Sequence, residues 1–459
     1  MTFKSVNPAT NEELKAFDML SKAQMLDAVK QADEAFDAWR QTSFDERKRI
    51  MLKIATSLRD RTDEFATLVT LEMGKRIAEA RYEINFCAEI AEFYANRAEG
   101  FLADQAIEVE GAEAYIQHTP IGVLLGVMPW NFPFYQVTRF VMPNIMAGNT
   151  VLVKHASNVP QCAQAMQDLF TECGLPPGVF TNLFIPVDFV ESILADDRVQ
   201  GVSLTGSEKA GAAVAGHAGQ NLKRSVLELG GNDAFIVLED ADIDDAVKKA
   251  IKGRMVNTGQ SCVAAKRFIV VESVAEQFLS KFRSRMEALQ MGDPMDESTD
   301  VGPLSTEAAA VDLKEKVQAA IDAGVTVVLG GGRPDRDGAY FTPTILTDIT
   351  PDMPTYDQEL FGPVASVYVV KDESAAIKLA NDSSYGLGGS VYTRDVERGR
   401  RVAEQIDTGM MFINQPTNSQ VELPFGGTKS SGYGRELSSQ GIMEFVNKKL
   451  IHTMQTFKS

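Results

Sequence analysis

Cysteine is scarce in this chain, with four residues in 459, at positions 87, 162, 173 and 262, and no CxxC pair. A chain this long with so few thiols is not a disulfide scaffold. Histidine is equally rare, at 118, 155, 217 and 452, so no Cys/His cluster with zinc spacing exists and no metal site is expected. Positive charge is in deficit, with 45 Lys and Arg against 63 Asp and Glu, a formal net charge of −18. That deficit argues against a nucleic-acid partner, which needs a basic face. No run of 18 uncharged apolar residues occurs, so no membrane span is expected. The opening MTFKSVNPATNEEL lacks the basic-then-apolar pattern of a signal peptide, and a cytoplasmic location is expected. Internal repeats and low-complexity segments are also missing.

What is present reads as an ordinary globular chain, 44% hydrophobic and 24% charged. At roughly 150 residues per domain, two or three domains are expected. The first 110 residues read mostly as helices. Ser21 and Gln24 have capping-box spacing, Leu20 can staple onto Met25, and Leu26, Val29, Ala32, Phe36 and Trp39 come next at helical spacing. A proline-free helical stretch over 44–102 has one mid-stretch glycine, Gly74, which predicts a break between two helices. From Ala112 the pattern turns to strands. Strands over 150–154, 179–185 and 199–204 then alternate with helices over 160–173, 189–195 and 208–220. Beyond these lie further helices (243–255, 275–289, 309–323) and strands (267–271, 325–329, 366–371, 388–392, 410–413). Strands separated by helices of this length predict parallel sheets built from βαβ units. Two α/β units meeting near Glu228 and Gly230-Gly231 are the simplest arrangement.

Four places stand out chemically. Cys262 comes directly after Asn257-Thr258-Gly259-Gln260-Ser261, where Gly259 permits a backbone turn that can lift a side chain into a cleft. The plain alternative is a small buried hydrophobe, a description that suits Cys87, Cys162 and Cys173 among their apolar neighbours. Glu228 sits between two leucines at a strand end, before Gly230-Gly231. It is either a solvent-facing residue or a desolvated carboxylate with a raised pKa, suited to act as a base. Asn131, in Pro129-Trp130-Asn131-Phe132-Pro133, either satisfies a rigid turn or offers an amide to a developing oxyanion. Gly206-Ser207 closes a strand and opens a helix, as an ordinary cap or as a phosphate-binding N-terminus. It matches neither a P-loop nor GxGxxG.

Taken together, the ordered stretches PWNFP (129–133), LVKHAS (152–157), LTGS (204–207), ELGGN (228–232), GQSC (259–262), QELFGPV (358–364) and PFGGTKSSGYGRE (424–436) resemble the aldehyde dehydrogenase superfamily across nearly the whole chain. The resemblance implies Cys262 as nucleophile, Glu228 as hydrolytic base and Asn131 as oxyanion donor beside the Cys262 N–H. It implies a cofactor site formed by Trp130, Lys154 at the adenosine ribose, Ser157, Gly206 and Ser207 at the pyrophosphate, and Glu359 and Phe361 at the nicotinamide. The implied fold is α/β. It has a Rossmann-type cofactor-binding domain over 1–228, interrupted by an oligomerisation arm at 104–120, and a catalytic α/β domain over 229–412. Residues 413–459 return to the cofactor domain and form the oligomerisation tail. A homodimer or homotetramer is implied.

Within the superfamily, succinate-semialdehyde dehydrogenases are the most similar group. Arg139 resembles an arginine that binds the substrate's distal carboxylate there, as a planar guanidinium can, and Ser419 a serine of the same pocket. The alternative for Arg139 is an inter-helix ion pair. Many NAD-preferring members carry a glutamate where this chain has Ser157, so NADP is expected to be preferred, with NAD also possible. Some members have an arginine where Val256 stands, and a second cysteine where Ala264 stands, so an internal disulfide switch is not expected. Two further readings of the activity are a dehydrogenase for glutarate semialdehyde or a medium-chain aliphatic aldehyde, and a cofactor-independent cysteine hydrolase. A non-catalytic structural protein is a third.

Overall fold

The computed structural model describes residues 2–454. Two parallel-type sheets organise the chain. The first has six strands in the order Gly432–Tyr433, Arg224–Glu228, Val199–Thr205, Val123–Val127, Thr150–Lys154, Phe180–Asn182. All pair in parallel except Gly432–Tyr433, which is antiparallel to Arg224–Glu228. Successive side chains of Val123–Val127 serve opposite faces, as the pleat dictates. Leu124 joins the core under the helices Phe44–Asp60, Thr62–Met73 and Ile77–Phe101, while Val123 and Leu125 join the core under Lys22–Trp39.

The chain fills this sheet outward from Val123–Val127, first to one side and then to the other. The strand ends around that reversal form a crevice of the kind where ligands bind in open α/β sheets. The carboxyl ends are Val127, Lys154, Thr205 and Glu228, so Asn131, Lys154, Gly206 and Glu228 all lie at the same edge.

The second sheet has seven strands, ordered Thr326–Leu329, Thr344–Thr347, Val364–Val370, Arg267–Val271, Ala234–Val237, Gly389–Tyr392, Phe412–Ile413. Only the first pair is antiparallel. Gly231 lies just before the amino end of Ala234–Val237, Cys262 before that of Arg267–Val271, and Phe361 before that of Val364–Val370. The amino ends of this sheet therefore carry the residues that meet the carboxyl ends of the first. A third, antiparallel sheet joins Val446–Met454, Ala112–Pro120 and Gln105–Ile107.

The predicted capping box is present, with Ser21 N donating to Gln24 Oε1 at 2.8 Å and Gln24 N to Ser21 Oγ at 3.3 Å. Gly74 ends a helix in the left-handed region at φ 76. The stretch 44–102 nevertheless forms three helices, because Arg61 leaves helical geometry at φ −109 and ψ 23. There the Thr62 hydroxyl donates to the Leu58 and Arg59 carbonyls, and Arg61 forks onto Glu64 at 2.7–2.8 Å. These local bonds compete with helix continuation without a glycine or proline. The first 110 residues are mostly helical, as expected, but they open on strands. Thr2–Asn7 and Glu12–Asp18 form an antiparallel hairpin that buries Phe3 and Ser5. The strand expected over 179–185 shortens to Phe180–Asn182. Among the described residues no helix is long and apolar enough to cross a membrane.

Candidate active site

Asn131 comes soon after the strand Val123–Val127 and is 5% exposed. Its carbonyl accepts from Lys75 Nζ at 2.9 Å and from Asn257 Nδ2 at 2.8 Å. Its own Nδ2 donates to the Gln260 carbonyl at 3.2 Å. One amide hydrogen remains for another acceptor. Lys75 is ion-paired with Glu83, both fully buried. Glu83 Oε1 accepts the backbone N–H groups of Phe134 and Tyr135 at 2.9 and 3.0 Å, a negative charge at the start of the helix Tyr135–Ala147. The ammonium of Lys75 also lies 3.6 Å from the centroid of the Phe132 ring. The Asn131 turn is thus pinned from both ends.

Cys262 is presented by an unusual turn. Asn257, Thr258 and Gly259 are all left-handed, at φ 53, 54 and 79. Any side chain on Gly259 would collide with the Gly362 carbonyl. A Cβ on Gly231 would lie 2.5 Å from the Cys262 carbonyl oxygen, so ELGGN and GQSC are in direct backbone contact. The thiol is partly accessible, yet its dense surroundings push its pKa up to about 12, with Arg139 and then Lys266 pulling the other way. Cys87, Cys162 and Cys173 are buried in the helical layer, as small hydrophobes are.

Glu228 is 2% exposed, and neither carboxylate oxygen has a hydrogen-bond partner among the described residues. Burial holds its pKa well above the ordinary carboxylate range, Arg139 opposes that, and Glu436 adds to it. A carboxylate so placed binds a proton more tightly than one in water, as a general base must. The solvent-facing alternative is excluded by its burial.

Arg139 is not the free cation that the sequence suggests. It is completely buried and ion-paired with Glu436. The partner precedes the helix Ser438–Met443 rather than lying within a helix. Burial lowers the arginine's pKa, but Glu436 and Tyr135 more than reverse this. Its guanidinium stacks on Phe425 and Tyr135 at 4.4 and 5.0 Å. Arg139 Nη1 donates to Tyr135 Oη at 3.2 Å, and Tyr135 Oη donates to Ser419 Oγ at 2.9 Å. The serine expected in the pocket is therefore joined to the arginine through a tyrosine that sequence reasoning missed.

On the other side of Asn131, Lys154 is 7% exposed and, among the described residues, bonds only to the His155 carbonyl at 3.2 Å. Burial lowers its pKa, and no carboxylate pairs with it among the described residues. A buried, uncompensated ammonium fits an anionic or hydroxyl-rich ligand. His155 Nε2 donates to the Pro133 carbonyl at 2.8 Å while its Nδ1 accepts from Ala156 N, tying the Lys154 strand end to the Asn131 turn. Burial takes this imidazole down to about 4, so it is neutral. Ser157 is exposed and lies outside the hydrogen-bonded group around Cys262. Gly206 N donates to the Glu228 carbonyl at 3.0 Å, and Ser207 caps the helix Glu208–Gln220. Trp130 and Phe361 meet edge to face with centroids 5.8 Å apart. Glu359 Oε1 accepts from Gly231 N at 3.2 Å and pairs with Lys266 at 3.1 Å. An uncompensated lysine, a helix N-terminus and an aromatic pair in one crevice fit a dinucleotide.

Residues 1–451 match the family model described as "Aldehyde dehydrogenase family". The chain belongs to the aldehyde dehydrogenase family. It is 52% identical over 454 residues to the succinate-semialdehyde dehydrogenase [NADP(+)] of Deinococcus radiodurans, covering 99% of this chain and 95% of that relative. With the Mycobacterium leprae enzyme of the same name it shares 46% over 454 residues, covering 98% and 99%. The crystal structure of succinic semialdehyde dehydrogenase from Streptococcus pyogenes in complex with NADP+ superposes with a TM-score of 0.97 at 43% identity, covering 98% and 99%. The α/β aldehyde dehydrogenase fold expected from the motifs is the fold observed. Lys75 and Glu83 are supports that lie outside the quoted stretches, and Asn257 and Gln260 are supports that those stretches contain without a role assigned. Glu83 could have been found, since it falls beside Ala80, Ile84 and Cys87 on a buried helix face.

Proposed function

We propose that the protein oxidises succinate semialdehyde to succinate with NADP. The observation that carries the chemistry is the junction at which Asn131 Nδ2 bonds to the Gln260 carbonyl beside Cys262, and Gly231, three residues after the buried Glu228, packs against the Cys262 carbonyl. Names of relatives at 46–52% identity support the substrate and cofactor over other aldehydes.

Cys262, as thiolate, forms a bond to the aldehyde carbon and leaves the carbonyl oxygen negative. Asn131 Nδ2 and the Cys262 N–H donate to that oxygen. Lys154, Ser157, Gly206, Ser207, Glu359, Phe361 and Trp130 would hold NADP, which would supply a hydride acceptor that no side chain provides; the former aldehyde C–H bond breaks, its hydrogen leaves with the electron pair, and the carbonyl re-forms as the Cys262 thioester. Glu228 then removes a proton from water as the water oxygen attacks the Cys262 thioester and sulfur departs. Ser157 leaves room for the 2′-phosphate that a glutamate would repel. The donor chain Arg139–Tyr135–Ser419 ends on a serine hydroxyl whose proton is free for the distal carboxylate. Bonds in such a chain polarise one another, so Arg139 acts from behind Tyr135.

The residues 1–228 serve as the cofactor body, with 229–412 as the catalytic one. The arm exposes Ile107, Val109, Leu450 and Met454, an apolar set that suits a homodimer or homotetramer in the cytoplasm. The test is reduction of NADP or NAD followed by absorbance with succinate semialdehyde. Fast NADP reduction that disappears in Cys262→Ala supports the assignment. Turnover of other aldehydes alone refutes the substrate assignment.

A further inference from the structure

Lys266 lies four residues beyond Cys262 and is 2% exposed. Its ammonium donates to the carbonyls of Cys262 at 2.7 Å, Ser261 at 3.0 Å and Ala264 at 3.3 Å. It also faces Glu359 Oε1 at 3.1 Å. Its backbone N–H and that of Arg267 both donate to the Asp233 carbonyl at 3.1 Å, fixing the start of the side chain. A buried lysine surrounded by three carbonyls of the nucleophile's own turn is not needed to hold the strand Arg267–Val271, which has ladder bonds on both sides.

The Ser261 carbonyl is the other half of the peptide that carries the Cys262 N–H. Because a peptide is planar and trans, fixing the direction of its C=O fixes the direction of its N–H. A positive charge on the carbonyl oxygen also draws electron density from the nitrogen and strengthens the N–H as a donor. On the next peptide, the Cys262 carbonyl is confined between Lys266 and the bare Cα of Gly231.

We propose that Lys266 is a positioning residue for the oxyanion site, aiming and polarising the Cys262 N–H through the Ser261 carbonyl. The inference rests on the reading of Cys262 as nucleophile. Its rival is a simple counter-ion for the thiolate. Two cofactor-free reactions of the full chain separate the roles. Iodoacetamide alkylates the thiolate with loss of iodide and generates no oxyanion. p-Nitrophenyl acetate acylates the same sulfur through an oxyanion before p-nitrophenolate leaves. Dividing acylation rate by alkylation rate cancels the thiolate population.

In Lys266→Met the acylation-to-alkylation ratio falls about ten-fold, part of the 10²–10³ lost with a whole donor. In Lys266→Gln, which keeps N–H donors without the charge, it falls less. A ratio unchanged in both variants, with the two rates falling in step or not at all, overturns the proposal. Should Lys266→Met fail to fold, the Lys266→Gln ratio decides alone, a fall supporting the proposal and no change overturning it. Ester hydrolysis that persists in Cys262→Ala removes the nucleophile reading and this inference with it.

Discussion

Arg139→Met separates stability from specificity in a way the structure makes quantitative. Arg139 is 1% and Glu436 5% exposed. Removing the guanidinium leaves Glu436 Oε2 without its counter-charge, while Oε1 keeps only the Ser203 hydroxyl at 3.1 Å. Breaking a buried pair from one side costs about 3–5 kcal/mol. For a chain of 459 residues, at about 1 °C per kcal/mol, the apparent unfolding temperature drops by roughly 3–5 °C. Arg139→Met with Glu436→Gln removes both charges, and replacing a whole buried pair is close to neutral, so most of that loss returns. The specificity loss does not return. The chain through Tyr135 to Ser419 has lost its cationic head, and a hydrogen bond to a charged group contributes about 1.5–3 kcal/mol. That corresponds to a fall of roughly 10- to 150-fold in kcat/KM for succinate semialdehyde. Hexanal, with no distal carboxylate, changes little. Thermal scans and steady-state kinetics on the same preparations give both numbers. A double variant that keeps the wild-type ratio of succinate semialdehyde to hexanal refutes the donor-chain argument, and a single variant of undiminished stability refutes the ion-pair argument.

Glu228→Gln should give one active-site equivalent of reduced cofactor in a stopped-flow burst and then a slow steady rate, because thioester hydrolysis has lost its proposed base. Burial raises the Glu228 pKa and only the deprotonated form is a base, so wild-type deacylation should rise as pH climbs through that raised value, and the variant should not show this rise. With the Cys262 pKa pushed up to about 12, iodoacetamide alkylation without cofactor should climb about ten-fold per pH unit between about pH 7 and 10; a plateau near neutrality contradicts that environment. Ser157→Glu should shift the NADP-to-NAD ratio of kcat/KM toward NAD by about ten-fold or more, since a carboxylate near a phosphate at protein-surface dielectric costs on the order of 1–4 kcal/mol. Equal ratios would show that residue 157 does not read the 2′-phosphate.

Periodicity makes the strand–helix rhythm legible wherever one physical cause dominates. The strand Arg267–Val271 and the helix Ile243–Met255 stand where their apolar pattern puts them. The amino-terminal hairpin escapes such a reading because Thr2–Asn7 is short and half-exposed, so its alternation is lost beside the long helical stretch after it. The break at Arg61 is invisible for another reason. It is made by side chains that bond to nearby backbone and to Glu172, not by a glycine or proline.

The same division runs through the candidate site. Cys262, Glu228 and Asn131 are the residues proposed to carry the chemistry, and an unusual residue in an ordinary context is visible in a linear sequence. Their supports act through them. Lys75, Glu83, Tyr135, Lys266 and Glu436 are common residue types whose meaning comes from burial and from partners up to several hundred positions away. Arg139 belongs to both groups. As a motif residue it reads as a cation awaiting a carboxylate; in the fold that carboxylate is already Glu436, and its hydrogen bonds lead to Ser419 through the Tyr135 hydroxyl, while its charge is also felt at Cys262 and Glu228. A specificity argument for this pocket therefore has to be made for the chain of three residues, because substituting any one of them alters the hydrogen bonding of the other two.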